Sequence, residues 1–269
     1  MNLLGKWYWL CGRSRWLAWM ILTEVGVWLV VTVLSLLGST FHFDPALSEW
    51  LTLPSGFSRF ATRPWTLLTY MAVQFDFFHL LFNVLWLYWF GKILLLTLSE
   101  KRLAVFFIGG GVAGGLLFLG ASALGAGGGM LCGCSAAVIA VMCGAAVMMP
   151  DYPLNLFLIG AVRLKWVALA CCLLTLLGGG GNQAAHIGGA LWGLALAVML
   201  RRGITLPGPR ADKERSRDAS KMVRILRERR DDMERLDALL DKIKISGYES
   251  LSRREKDELN TLSTRIKKP

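Results

Sequence analysis

Three short stretches of this chain carry side chains that can do chemistry. They are "HLLFN" with His79 and Asn83, "GCSA" with Ser135, and "AHIGGALWG" with His186. A serine hydroxyl is a weak nucleophile until a base takes its proton. A histidine within hydrogen-bond reach is such a base. Taken singly, each residue has a plainer reading. Serine in an apolar helix packs or bonds its own backbone, and an intramembrane histidine relays protons or binds a metal. The choice turns on whether the chain brings these residues together.

Each stretch opens an apolar segment. The 269 residues are 54% hydrophobic with 11 Trp, and the mean hydropathy is +0.48. Several runs approach the ~20 apolar residues that cross a bilayer as a helix, which excludes an ordinary soluble domain. The pattern predicts six helices over about 16–38, 77–98, 103–122, 134–149, 164–178 and 183–200. The first follows Lys6, Arg13 and Arg15 like a signal peptide. It is longer than a signal peptide's apolar core of roughly 7–15 residues and lacks an A-x-A-like cleavage site, so a retained helix is expected.

Lys and Arg gather before the first helix, between the second and third (Lys101, Arg102), between the fourth and fifth (Arg163, Lys165) and after the sixth (Arg201, Arg202). By the positive-inside rule both termini are cytoplasmic. The second, fourth and sixth helices then start on the outer side, so His79 and Asn83, Ser135, and His186 fall at nearly one depth. Asp76 can cap the second helix, and His79 and Asn83, four apart, share a face. Small residues recur every four positions on the fourth helix (Ala136, Ala140, Gly144) and on the sixth (Ala185, Gly189, Gly193, Ala197). That pattern lets membrane helices approach closely, which would bring Ser135 Oγ toward the His186 imidazole.

The long outer segment, 39–76, is too apolar for a free loop, and Trp50, Phe57, Phe60, Trp65 and Tyr70 suit the membrane interface. Glu24, an acid within a span, is expected in the cytoplasmic third of the first helix, facing the bundle, and receives no role. Six cysteines lie mostly in or beside apolar segments and read as small hydrophobes. Cys132 and Cys134 match no standard zinc spacing, so neither a metal nor a cofactor is expected.

The formal charge is +11, and residues 201–269 hold 20 Lys and Arg against 13 Asp and Glu. A basic tail beside a membrane points to anionic lipid rather than nucleic acid. After a polar linker over 201–220, Met222, Ile225, Leu226, Met233, Leu236, Leu240 and Ile243 recur at helical spacing. Gly247 can end that helix, and Ser252 to Glu255 has the form of a capping box. The expected organisation is a transmembrane domain over 1–200, the linker, and a cytoplasmic helical hairpin over 221–269.

Taken together, "HLLFN", "GCSA" and "AHIGGALWG" on helices of this order resemble the rhomboid family of intramembrane serine proteases over roughly residues 15–200. The resemblance implies an all-α, six-helix membrane bundle with a small helical tail, in a cell membrane, the bacterial inner membrane by type. It implies Ser135 as nucleophile and His186 as its base, a dyad without a carboxylate. His79, Asn83 and the Ser135 N–H would form the oxyanion hole, and Gly133, Gly189 and Gly193 would seat the helices. Substrates would be transmembrane segments of membrane proteins, cut near the outer face. The chain departs from the family at Thr66, where Arg often follows Trp, at Leu95, where an acid is common, and at Ile139, where an aromatic is common. These positions bear on stability and substrate gating. Two rivals remain: a non-proteolytic relative that binds client membrane helices, and a transporter that relays protons through His79 and His186.

Overall fold

A computed structural model describes residues 14–41, 47–126, 128–156, 160–177, 182–204 and 211–267. Two compact units divide the chain, Met1–Ser216 and Arg217–Pro269.

The first unit is built on six apolar helices: α1 (Arg15–Phe41), α2 (Phe77–Thr97), α3 (Glu100–Ala123), α4 (Ser135–Met148), α5 (Leu164–Leu177) and α6 (Gln183–Arg201). Among the described residues, four helices are long and apolar enough to cross a membrane: Arg15–Gly38, Phe77–Thr97, Glu100–Ala123 and Gln183–Arg201. The α4 and α5 helices have 14 residues each. At ~1.5 Å per residue each spans about 21 Å, short of a hydrocarbon core of ~30 Å.

Local signals set the helix starts. Asp76 caps α2 by accepting a 2.8 Å hydrogen bond from the His79 N–H. At the far end of α4, Pro150 follows within two residues, and the residue before a proline disfavours helix.

The packing centres on α4, whose residues Ala136 through Ala145 are all buried. Glycines on α3 and α6 make room on either side. A methyl group at Gly114 would come within 2.7 Å of the Ala136 methyl, and one at Gly110 would strike the Ala140 methyl. On the α6 side, methyls at Gly189 and Gly193 would strike the Ala136 and Ala140 carbonyls. Lipid gives apolar helices no reason to associate, so close backbone approach of this kind supplies the attraction. In contrast, α1 turns large side chains outward, with Trp19 and Leu36 both 66% exposed.

The segment before α2 folds into helices Leu47–Leu51, Phe57–Thr62 and Thr66–Thr69, then a 3-10 turn at Tyr70–Ala72. A short antiparallel pair, β1 (Leu53–Pro54) with β2 (Met130–Leu131), ties it to the chain entering α4. Trp50 and Trp65 stack with centroids 5.9 Å apart, and the Arg63 guanidinium lies 4.3 Å over the Trp50 ring. Tyr70 corrects the expectation of an interfacial aromatic: it is fully buried, and its hydroxyl donates to the Gly111 carbonyl at 2.7 Å. A buried phenol needs such a partner, and the glycines of α3 leave a carbonyl within reach.

A hairpin unseen in the hydrophobic pattern, β3 (Pro153–Leu156) with β4 (Gly160–Arg163), joins α4 to α5. Asp151 at its base pairs with Arg163 and Lys165 at 3.6 and 3.2 Å.

The tail has two helices, α7 (Ala211–Ser246) and α8 (Arg253–Lys267). Residues 211–220, assigned to the linker by their polarity, are helical here, which suits a run rich in Ala, Lys, Glu and Arg. Gly247, with φ of 78°, ends α7. The Ser252 box forms as expected: the Ser252 N–H donates to Glu255 at 2.8 Å and the Glu255 N–H to Ser252 Oγ at 3.3 Å.

The expected apolar stripe requires correction. The core is Leu239, Leu251 and Leu262, with Leu236, Ile243 and Leu259 packed against it. Met222, Ile225, Met233 and Leu240 are exposed, and the Leu226 side chain lies outside the described residues. The α8 helix has 15 residues, about 22 Å, so it covers only the last turns of the 36-residue α7.

Candidate active site

Ser135 is the first residue of α4. The chain enters through Gly133 with φ of 96°, a conformation that favours glycine. A second constraint acts at the same position. A methyl on Gly133 would lie 2.6 Å from His79 Cε1, so the glycine also lets the imidazole approach. The Gly133 N–H donates to the Tyr70 carbonyl at 2.9 Å, which fixes this turn against the segment before α2. Gly133 was expected as a helix-packing residue, and its contact is with a site side chain.

His186 lies in the first turn of α6, and the Ala136–Gly189 contact carries it to α4. The Ser135 Oγ and His186 Nε2 are 2.8 Å apart. Its other ring nitrogen, Nδ1, is buried, and the polar group that interacts with the ring there is the Thr175 backbone. Among the described residues no carboxylate orients the ring from behind; that backbone lies against it, and the close α4–α6 packing holds it.

His79 stands beside the Gly133 turn. Asn83, one turn further along α2, is 5% exposed, and its Nδ2 donates to Gln74 Oε1 at 2.9 Å. Gln74 in turn donates from Nε2 to Glu24 Oε2 at 2.8 Å and lies 3.7 Å from the Cys134 sulfur. Glu24 faces the bundle as expected, and it reaches the segment just before the Asp76 cap, beside the residue preceding Ser135. Sequence reasoning missed Gln74 altogether. The available signal was the acid itself, since a carboxyl group in a membrane helix demands a polar partner.

The structure gathers Ser135, His186 and His79, with Asn83 one turn beyond, at the α2, α4 and α6 N-termini. Positive helix-dipole ends suit charge developing on a nearby oxygen. Among the described residues no three His, Cys, Asp or Glu side chains gather as a metal site.

The all-α membrane bundle thus brings a serine and a histidine into contact at half-buried helix ends. The model of the Rhomboid domain matches residues 61–203. That match covers more than half of the chain, and the chain belongs to the rhomboid family. A family of unknown function, DUF6576, matches residues 225–265 in the tail. No curated protein matches the chain.

Proposed function

We propose that this protein is an intramembrane serine protease that cuts transmembrane segments of membrane proteins near the outer face. The observation that carries the reading is the 2.8 Å contact between Ser135 Oγ and His186 Nε2. Ser135 Oγ attacks the scissile carbonyl while His186 Nε2 takes its proton. The Ser135 N–H, His79 and Asn83 donate to the resulting oxyanion. His186 then protonates the leaving amine, and water admitted from the outer side hydrolyses the acyl-enzyme with His186 again as base. Removing one oxyanion donor commonly costs ~10²–10³-fold in kcat.

In this reading six spans cross a cell membrane, the bacterial inner membrane by type, with both termini cytoplasmic. Residues 1–200 form the protease domain and 221–269 a hairpin whose basic surface meets anionic lipid. The short α4 supports the mechanism, because a helix of about 21 Å that starts below the outer surface recesses its first residue.

The test is cleavage of a model transmembrane substrate by the full-length protein in lipid vesicles. Ser135→Ala and His186→Ala should each lower the rate by more than about 10³-fold, as loss of a nucleophile or base does in serine proteases. Cleavage at the wild-type rate by Ser135→Ala would overturn the assignment. A folded wild type that binds the substrate without cutting it would favour the client-binding reading.

A further inference from the structure

Glu24, Gln74 and Asn83 form a continuous buried chain of side chains, 3%, 0% and 5% exposed. We propose that Glu24 and Gln74 are positioning residues that hold the Asn83 amide with an N–H, rather than its oxygen, available to the oxyanion. The inference rests on the proteolytic reading and deepens it.

The argument is one of polarity. A primary amide has a donating end and an accepting end that are nearly equal in size, so packing alone does not choose between them. An ionised carboxyl group only accepts, and in the structure Glu24 Oε2 faces a donor. Glu24 Oε2 therefore takes the Gln74 Nε2 end at 2.8 Å, which turns Gln74 Oε1 toward Asn83. That oxygen only accepts, so the Asn83 end facing it, at 2.9 Å, is Nδ2. Asn83 Nδ2 carries two hydrogens. One is committed to Gln74, and the second can donate to the oxyanion.

Turned over, Asn83 would present Oδ1 to the developing negative charge and repel it. The chain of bonds thus begins at an acid on α1 and ends by setting the sign of a dipole at the reacting centre. The same chain gives Glu24 a reason to lie in an apolar helix, where a charged side chain is expensive.

The experiment is steady-state cleavage of a fluorogenic transmembrane peptide by the full-length protein in vesicles. It compares the wild type with Gln74→Met, Glu24→Leu, Glu24→Gln, Asn83→Ala and the Gln74→Met/Asn83→Ala pair. Gln74→Met keeps the volume and removes both polar ends. We expect its kcat to fall about tenfold, a part of the ~10²–10³-fold cost of losing a donor outright, with KM unchanged. The double variant should match Asn83→Ala alone, because the relay has nothing left to orient. A merely structural role would add its loss to that of Asn83→Ala.

Glu24→Leu makes α1 more apolar and so favours insertion, which keeps the test decisive where Gln74→Met fails to fold. It should lose kcat in the same way. Glu24→Gln, which retains an accepting oxygen, should recover part of the rate. An active wild type with Glu24→Leu at full kcat, or with additive losses in the double variant, would overturn the relay. A wild type that cleaves nothing would overturn the proteolytic reading and the relay with it.

Discussion

The membrane unit and the C-terminal hairpin are both helical, yet they are held by different forces. In the membrane unit, α4 is enclosed by glycines of α3 and α6 that bring backbone against backbone. In the hairpin, three leucines are buried, and ion pairs such as Arg235–Glu258 at 2.9 Å and Lys242–Glu255 at 2.8 Å lie around them. Water drives leucines together without fixing their positions closely, whereas backbone contact leaves little play. The site needs the second kind of precision, because the Ser135–His186 contact depends on how α4 meets α6.

Breaking the membrane side of this comparison should give the largest effect. Gly189→Val would force a branched side chain into the Ala136 carbonyl. Overpacking commonly costs ~1–3 kcal/mol, and a clash with backbone should reach or exceed the top of that range. The expected outcome is a lower unfolding temperature in detergent together with loss of cleavage. Retained stability and activity would show that α6 moves freely against α4.

On the hairpin side, Leu239→Ala should cost about 2–5 kcal/mol of local stability, as other large-to-small core changes do. Amide exchange in α8 should rise sharply, while cleavage by the full-length protein stays within about twofold, as expected of independent sites. A parallel collapse of cleavage would show that the two units are energetically coupled.

The smallest effect concerns pH. The Lys242 ammonium, with the Ser252 backbone and hydroxyl, lowers the Glu255 carboxyl from an ordinary 4.5 to about 2. Hydrogen bonding to Arg235 likewise lowers the Glu258 carboxyl. A folded-state value below the unfolded one means that the carboxylate favours folding above its unfolded value. Its contribution is complete above pH 4.5 and is lost as the pH falls toward 2. Exchange protection in α8 should therefore decline across that window. Since these groups are exposed, salt should weaken the effect. A pH-independent hairpin would assign its stability to the leucines alone.

Much of the membrane unit was legible because bilayer spans need long apolar runs and their ends carry strong signals. Asp76 and the glycine before Ser135 marked the α2 and α4 starts closely. The small-residue ridges pointed to the α4–α6 contact because only small side chains permit it. Tyr70 was misplaced because an amphipathic ring suits an interface and a core equally well until its hydroxyl finds a partner. Gln74 was invisible because a polar residue in a loop needs no explanation, and its partners lie 50 residues before and 9 residues after it. The two-residue strands carried too little pattern to read. In the tail, Met233 and Leu240 had the spacing of a core, but α7 turns Leu236, Leu239 and Ile243 toward its partner helix and leaves those two exposed.

The most direct measurement is fluorophosphonate labelling of the full-length protein in lipid, with the modified peptide located by mass spectrometry. The account predicts one adduct, on Ser135, absent in Ser135→Ala and lost in His186→Ala. An adduct on another serine, or equal labelling of Ser135 after His186→Ala, would contradict it.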